Sequence, residues 1–341
     1  MKKTTPARRI DRVRDLCAQF KTTPSRQLGR MVYTRMRAEF ATPDHAYQCV
    51  RSVRGNHGHD NRKTCKPDLF RPNQPAEFVW KFPHSHAPSY QPHILDSERT
   101  LILSDLHIPF HDTAAIMAAV DYGAARNPDC ILLNGDVCDF FSLSRFDKNP
   151  TESSIKRELE ATRQFLGWLR QKFPKARIIY KLGNHDEWLD KYILRKCPEL
   201  FGLAALTLQN LVTGIFKDSN LTPVEGIEFI DDQQKIKAAK LTIWHGHEVG
   251  KGSIAPPVNP ARGLFMRTMD CGLMGHLHKG SQHEETSSNG KLIATWSTGC
   301  LCGLWPRYAR VNKWNHGAAF LELHGGNFSV TPIRILKGQV L

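Results

Sequence analysis

Short apolar runs alternate with amphipathic stretches once the chain passes Thr100. Leu101-Ile102-Leu103, Ile131-Leu132-Leu133 and, after Arg177, Ile178-Ile179-Tyr180 are apolar on both faces, the pattern of strands covered from two sides. Two stretches with helical spacing lie between them. One runs from Thr113 to about Arg126. The other has Thr151 as its N-cap and Glu152 in its first turn, with Leu159, Phe165, Leu166 and Leu169 along one side. More strands follow at Leu241 to Trp244, Cys271 to Met274, Leu292 to Trp296, Ala318 to Leu323 and Phe328 to Ile335. Alternation first and strands afterwards predict an α/β fold: a β-sandwich of mixed sheets flanked by helices.

Before Thr100 the pattern is different. Arg8 to Phe20 carries Ile10, Val13, Leu16, Cys17 and Phe20 at helical spacing. Pro24-Ser25 opens a second helix through Leu28, Met31, Val32, Met36 and Phe40. Thr42-Pro43-Asp44 opens a third, which ends at Gly55. These predict a small helical module over residues 1–55. Six prolines between Pro67 and Pro92 make 56–98 an expected linker, with the main domain at 99–341. The linker's His57, His59, Cys65, His84 and His86 match no zinc-site spacing.

Charge sharpens this division. Residues 1–97 hold 18 Lys and Arg against 8 Asp and Glu, and so +10 of the net +14. A positive front segment suits a polyanionic partner, DNA or RNA. The nine cysteines are scattered and form no CxxC pair, so free thiols in a cytoplasmic protein are expected. No apolar run reaches the ~18 residues of a membrane span.

Candidate chemistry lies just past the strands. Asp105-Leu106-His107, Gly135-Asp136 with Asp139, Gly183-Asn184-His185-Asp186, His245-Gly246-His247 and Gly275-His276-Leu277-His278 supply carboxylate, amide and imidazole groups. That is enough for two divalent cations. Loops at the carboxyl ends of strands are where ligands collect in α/β sheets, and a glycine before Asp136, Asn184 and His276 would let each loop turn sharply. His111-Asp112 reads as a helix cap, and Cys300 with Cys302 as buried packing.

In this order the five clusters resemble the calcineurin-like metallophosphoesterase superfamily, whose blocks read DxH, GDxxD, GNH[DE], H and GHxH. The likeness spans roughly residues 100–335. It implies that Asp105, His107 and His278 hold one metal, Asn184, His245 and His276 hold the other, and Asp136 bridges both. It implies His185 as general acid and Asp186 as the group orienting it, with a hydroxide between the cations attacking phosphorus. Asp139, Arg145 and His247 are left to substrate or to support. Mixed imidazole and carboxylate ligands suit Mn²⁺ first, with Fe or Zn²⁺ as alternatives.

The second block lacks the arginine of protein serine/threonine phosphatases, and the third ends in Asp186 rather than Glu. The run from Asn134 to Phe146, with Trp314-Asn315-His316-Gly317, is similar to phosphoesterases encoded by phages and prophages. A basic module beside a two-metal hydrolase fits a phosphodiesterase or nuclease. The alternatives are a phosphomonoesterase on phosphoproteins or small nucleotides, and a nucleic-acid-binding or virion-associated protein with a vestigial site.

Overall fold

In chain order the strands are β1 (His93–Ile94), β2 (Arg99–Leu103), β3 (Cys130–Asn134), β4 (Arg177–Lys181), β5 (Ile227–Ile230), β6 (Ile236–Ala238), β7 (Leu241–Ile243), β8 (Gly272–Met274), β9 (Gly280–Thr286), β10 (Leu292–Thr298), β11 (His316–His324), β12 (Asn327–Leu336) and β13 (Gln339–Val340). The computed structural model describes residues 6–55, 83–87, 89–144, 154–214, 223–249 and 258–341. Two mixed sheets result. One is ordered β1-β6-β7-β8-β10-β9, the other β13-β12-β11-β2-β3-β4-β5. Strands β2 to β5 run parallel, while β11 pairs antiparallel to β2.

The three apolar runs are the middle of the seven-stranded sheet, and their side chains alternate between two cores. Leu101, Leu103, Ile131, Leu133, Ile178 and Tyr180 face the helical side, against Ile116, Val120, Leu166 and Leu169. Ile102, Leu132 and Ile179 face the second sheet, against Ile243, Leu273 and Trp296. Each such side chain gains about 1.5–3 kcal/mol from full burial, which fixes register, since a one-residue slip would exchange the two faces.

In the first unit, α1 (Pro6–Gln19), α2 (Ser25–Arg35) and α3 (Pro43–Val53) enclose a core of Val13, Cys17, Leu28, Val32, Phe40 and Val50. Thr42 caps α3 by accepting from His45 N at 3.1 Å. Arg54 is fully buried and donates to Phe20 O and Thr23 O, both at 2.7 Å, so its guanidinium ties the first turn to the end of α3. The chain divides into two compact units, Met1–Ala87 and Pro88–Leu341.

In the second unit α4 (Thr113–Ala124) is capped by Asp112, which accepts from Ala115 N at 2.8 Å. It is followed by α5 (Ile155–Lys172), α6 (Trp188–Lys196), α7 (Leu208–Thr213) and α8 (Pro260–Thr268). Ser154 precedes α5; the expected cap Thr151 and Glu152 lie outside the described residues, as do His57, His59, Cys65 and Arg145. The expected linker over 56–98 ends inside the sheet: His93–Ile94 pairs with β6, and Leu95 is buried. The prolines just before it, Pro88 and Pro92, hide that short strand. Among the described residues no helix is long and apolar enough to cross a membrane.

Candidate metal centre

Five loops leave the carboxyl ends of β2, β3, β4, β7 and β8 and bring their side chains together. Backbone pairing continues past the strands: Asp105 N donates to Gly135 O at 3.1 Å and His107 N to Asp136 O at 2.9 Å. Asp105, His107, Asp136, His276 and His278 all have positive φ, between 50° and 65°. They are half of the ten non-glycine residues in that region among those described. Such backbone costs on the order of 1–3 kcal/mol per residue, and its concentration here marks a site held against strain.

Gly135 turns as expected, with φ of 86°. Gly275 serves another need, because a Cβ there would overlap Ser104 Oγ. At that loop the sharp turn belongs to His276 itself, whose backbone N donates to Asp105 Oδ2 at 2.8 Å.

The candidate ligands form two groups that share Asp136. In the first, Nε2 of His107 and Nε2 of His278 are 3.1 Å apart. His278 Nε2 is 3.2 Å from Asp105 Oδ1, and His107 Nε2 is 3.8 Å from Asp136 Oδ2. In the second, His245 Nε2 is 3.2 Å from Asp136 Oδ2, and the liganding atoms of Asp136, His245 and His276 cluster within 4.8 Å of one another. His245 Nδ1 donates to Asn134 O at 2.8 Å, which turns the Nε2 lone pair toward the carboxylate. His245 Nε2 and Asn184 Oδ1 are both buried without a hydrogen-bond partner.

Lone pairs converging at about 3 Å repel unless a positive charge lies among them. Ligand bonds of about 2.0–2.2 Å around one cation give separations of this size. The donor set therefore fits two divalent cations.

The electrostatics fit the same conclusion. Burial pushes the His245 and His278 imidazoliums down, but Asp136 and Asp105 respectively outweigh it and bring both up to about 10. Burial raises Asp105, and His278 with His245 overcomes this to bring it to about 2. Protons here do what bound cations would do: they neutralise buried carboxylates. His276 is pushed down to about 4 by burial and by His245, so it is a neutral lone-pair donor.

Asp186 does not orient His185, contrary to expectation. Its carboxylate accepts from Asp136 N at 2.8 Å, Gly183 N at 2.9 Å, Cys138 N at 3.1 Å and Tyr180 Oη at 2.8 Å. It pins two loops together instead, because its short side chain points back under them. The residue that orients His185 is Asp139, whose carbonyl accepts from Nδ1 at 2.7 Å. Its carboxylate also accepts from His107 Nδ1 at 2.8 Å and lies 3.4 Å from His185 Nδ1. One carboxylate thus supports a candidate ligand imidazole and its neighbour together.

The His247 ring lies beside those of His245 and His276, with centroids 5.4 and 6.1 Å away. It lies between Asp232 and Glu248, each 3.5 Å from one of its nitrogens. Glu248 in turn accepts from Gly246 N at 2.7 Å and pairs with the buried Lys181 at 2.9 Å, which shapes the loop that carries His245. A lysine closing β4 directly after its apolar run was the sequence signal for that buried pair. Cys302 Sγ is 3.9 Å from His278 Nδ1, and its contact with Cys300 together with burial pushes the thiol up, so it is uncharged.

The family model for calcineurin-like phosphoesterases matches residues 98–280. The Gene 54 protein of Mycobacterium phage L5 is 25% identical over 256 residues, covering 71% of this chain and 96% of that protein. The Gene 54 protein of Mycobacterium phage D29 is 24% identical with the same coverage. Among solved structures, a dimetal phosphatase from Danio rerio covers 72% of this chain and 98% of its own at 13% identity and a TM-score of 0.35. The E. coli phosphoesterase Yfce covers 66% and 88% at 14% identity and a TM-score of 0.32.

Proposed function

The chain belongs to the calcineurin-like phosphoesterase family and is a metal-dependent hydrolase, and from that premise we propose that it cleaves phosphodiester bonds of nucleic acid with two Mn²⁺ ions. The observation that carries the reading is the pair of ligand groups sharing Asp136, with His107 Nε2 and His278 Nε2 3.1 Å apart on one side and His245 Nε2 3.2 Å from the carboxylate on the other. Asp105, His107 and His278 would hold one ion and Asn184, His245 and His276 the other, with Asp136 shared by the two groups. Bound there, the cations supply charge neutralisation at the phosphoryl oxygens and a nucleophile that ionises near neutral pH.

The remaining work falls to His185. Its Nδ1 donates to Asp139 O, so the proton it can pass on is at Nε2. Burial disfavours its charged form, but in the metal-free fold Asp136 and Asp139 outweigh this and bring it up to about 9. Carrying a proton at Nε2, the ring would give it to the departing oxygen. Asp139 holds the ring in place and Trp188 stacks on it, with centroids 3.9 Å apart.

The nucleic-acid reading rests on the first unit. Arg8, Lys21, Arg26 and Arg30 are exposed there, and Arg26 and Arg30 are one helical turn apart on α2. Such a face neutralises phosphates without reading sequence.

The test is reconstitution of the full chain with Mn²⁺. Bis-p-nitrophenyl phosphate should be hydrolysed faster than p-nitrophenyl phosphate, and a labelled polynucleotide should be cut. Preference for the monoester, with the polynucleotide intact, overturns the diesterase reading.

A further inference from the structure

Beside the metal centre is a cavity of about 420 Å³ whose floor is His107 and Asp139 and whose walls are aromatic. Phe110 and Phe141 form one side, and Trp305, Tyr308 and Trp314 the other. Its size falls within the ~300–1,000 Å³ of small-molecule sites. Trp305 is 68% exposed and Tyr308 69%, which is unusual for such large rings unless they meet a partner. Trp314 is the inner wall. Its ring packs on His278 at 4.1 Å and on Tyr308 at 6.2 Å, so the aromatic surface continues into the ligand set.

The segment that supplies three of these rings reads Trp305-Pro306-Arg307-Tyr308-Ala309-Arg310-Val311-Asn312-Lys313-Trp314. Aromatic and basic residues interleave, and no acidic residue occurs. It has no helix or strand, yet it is fixed: Asn312 Nδ2 donates to Leu304 O and Ala309 O, both at 2.6 Å, and Asn312 Oδ1 accepts from Trp314 N at 2.8 Å. Flat rings with positive charge between them are the surface on which nucleic-acid bases stack beside a phosphate backbone.

We propose that this slot receives the base adjoining the phosphate bound at the metal centre. The proposal rests on the phosphoesterase reading and adds to it the place where a base is held. The base stacks on Trp305 and Tyr308, and Arg307 stands at the same wall.

Calorimetric titration of the full chain loaded with Mn²⁺ and carrying His185→Gln, to slow turnover, tests this. It compares adenosine 5′-monophosphate with ribose 5-phosphate, and a thymidine decamer with an abasic strand of equal length. In each pair the member with bases should bind about 10- to 100-fold more tightly, the worth of a stacked base. The double substitution Trp305→Ala and Tyr308→Ala should remove most of that preference. Because both rings are exposed, the change leaves the core intact, and an unaltered melting temperature verifies this. Preference in the mononucleotide pair alone assigns the slot to free nucleotides; preference in both assigns it to single strands. Equal affinity within both pairs overturns the proposal, as does a preference that survives both substitutions. Failure of the phosphoesterase reading would show separately, as no hydrolysis of bis-p-nitrophenyl phosphate with Mn²⁺.

Discussion

Asp136 and His185 touch through a backbone contact, His185 N to Asp136 Oδ1 at 2.8 Å, yet their substitutions should have different signatures. Asp136→Asn weakens the shared ligand and should strip one or both metals, with turnover nearly abolished; metal analysis beside activity checks this. His185→Gln should keep both metals and lower kcat about 10²- to 10⁴-fold, the scale of a lost proton donor. Metal loss in His185→Gln would make that residue a ligand instead. Asp139→Asn removes charge beside the His185 ring, so the loss of activity with rising pH should begin at a lower pH than in the wild type. A pH–rate profile decides this. The imidazoles also set a pH dependence of stability. His245 and His278 have an ordinary value of 6.5 and are held near 10 in the metal-free fold. Their contribution is complete below the lower value and disappears as pH rises through the upper one. Metal-free protein should therefore melt at a lower temperature at pH 9.5 than at pH 7. With Mn²⁺ bound that loss should vanish, because the rings are then ligands.

At the scale of elements, the site depends on loops that strands cannot align by themselves. Asp186 gathers donors from the loops after β3 and β4, so Asp186→Ala leaves several buried donors unmet. It should cost about 3–5 kcal/mol in denaturant unfolding, as charged hydrogen bonds each contribute about 1.5–3 kcal/mol. An unchanged midpoint would show that the loops are held by something else. The strands that carry the ligands were legible because their runs are mainly apolar and each is followed within three residues by Asp, Asn or His. β9 was not: Gly280-Ser281-Gln282-His283-Glu284-Glu285-Thr286 is polar along nearly its whole length and is placed only by pairing with β10. Partly exposed β5 and short α7 lacked a pattern for the same reason. The part of Asp186 was hidden because a carboxylate next to a histidine reads as its partner. Nothing in the spacing of Asp139 told that it would reach two rings at once. The aromatic wall was invisible too, since Trp305, Tyr308 and Trp314 belong to no apolar period.

For the whole molecule, charge and chemistry occupy different stretches of chain. The basic helices precede the sandwich, and every candidate ligand lies between Asp105 and His278. Arg26→Glu with Arg30→Glu should weaken polynucleotide binding and flatten its salt dependence, while bis-p-nitrophenyl phosphate hydrolysis stays the same. Equal loss on both substrates would contradict a separate binding role. The most direct measurement is anomalous diffraction from crystals of the full chain grown with Mn²⁺. Two peaks about 3.5–4 Å apart, with the Asp136 carboxylate between them, are expected of a two-metal hydrolase. A single peak, or a pair that Asp136 does not touch, would contradict the shared centre.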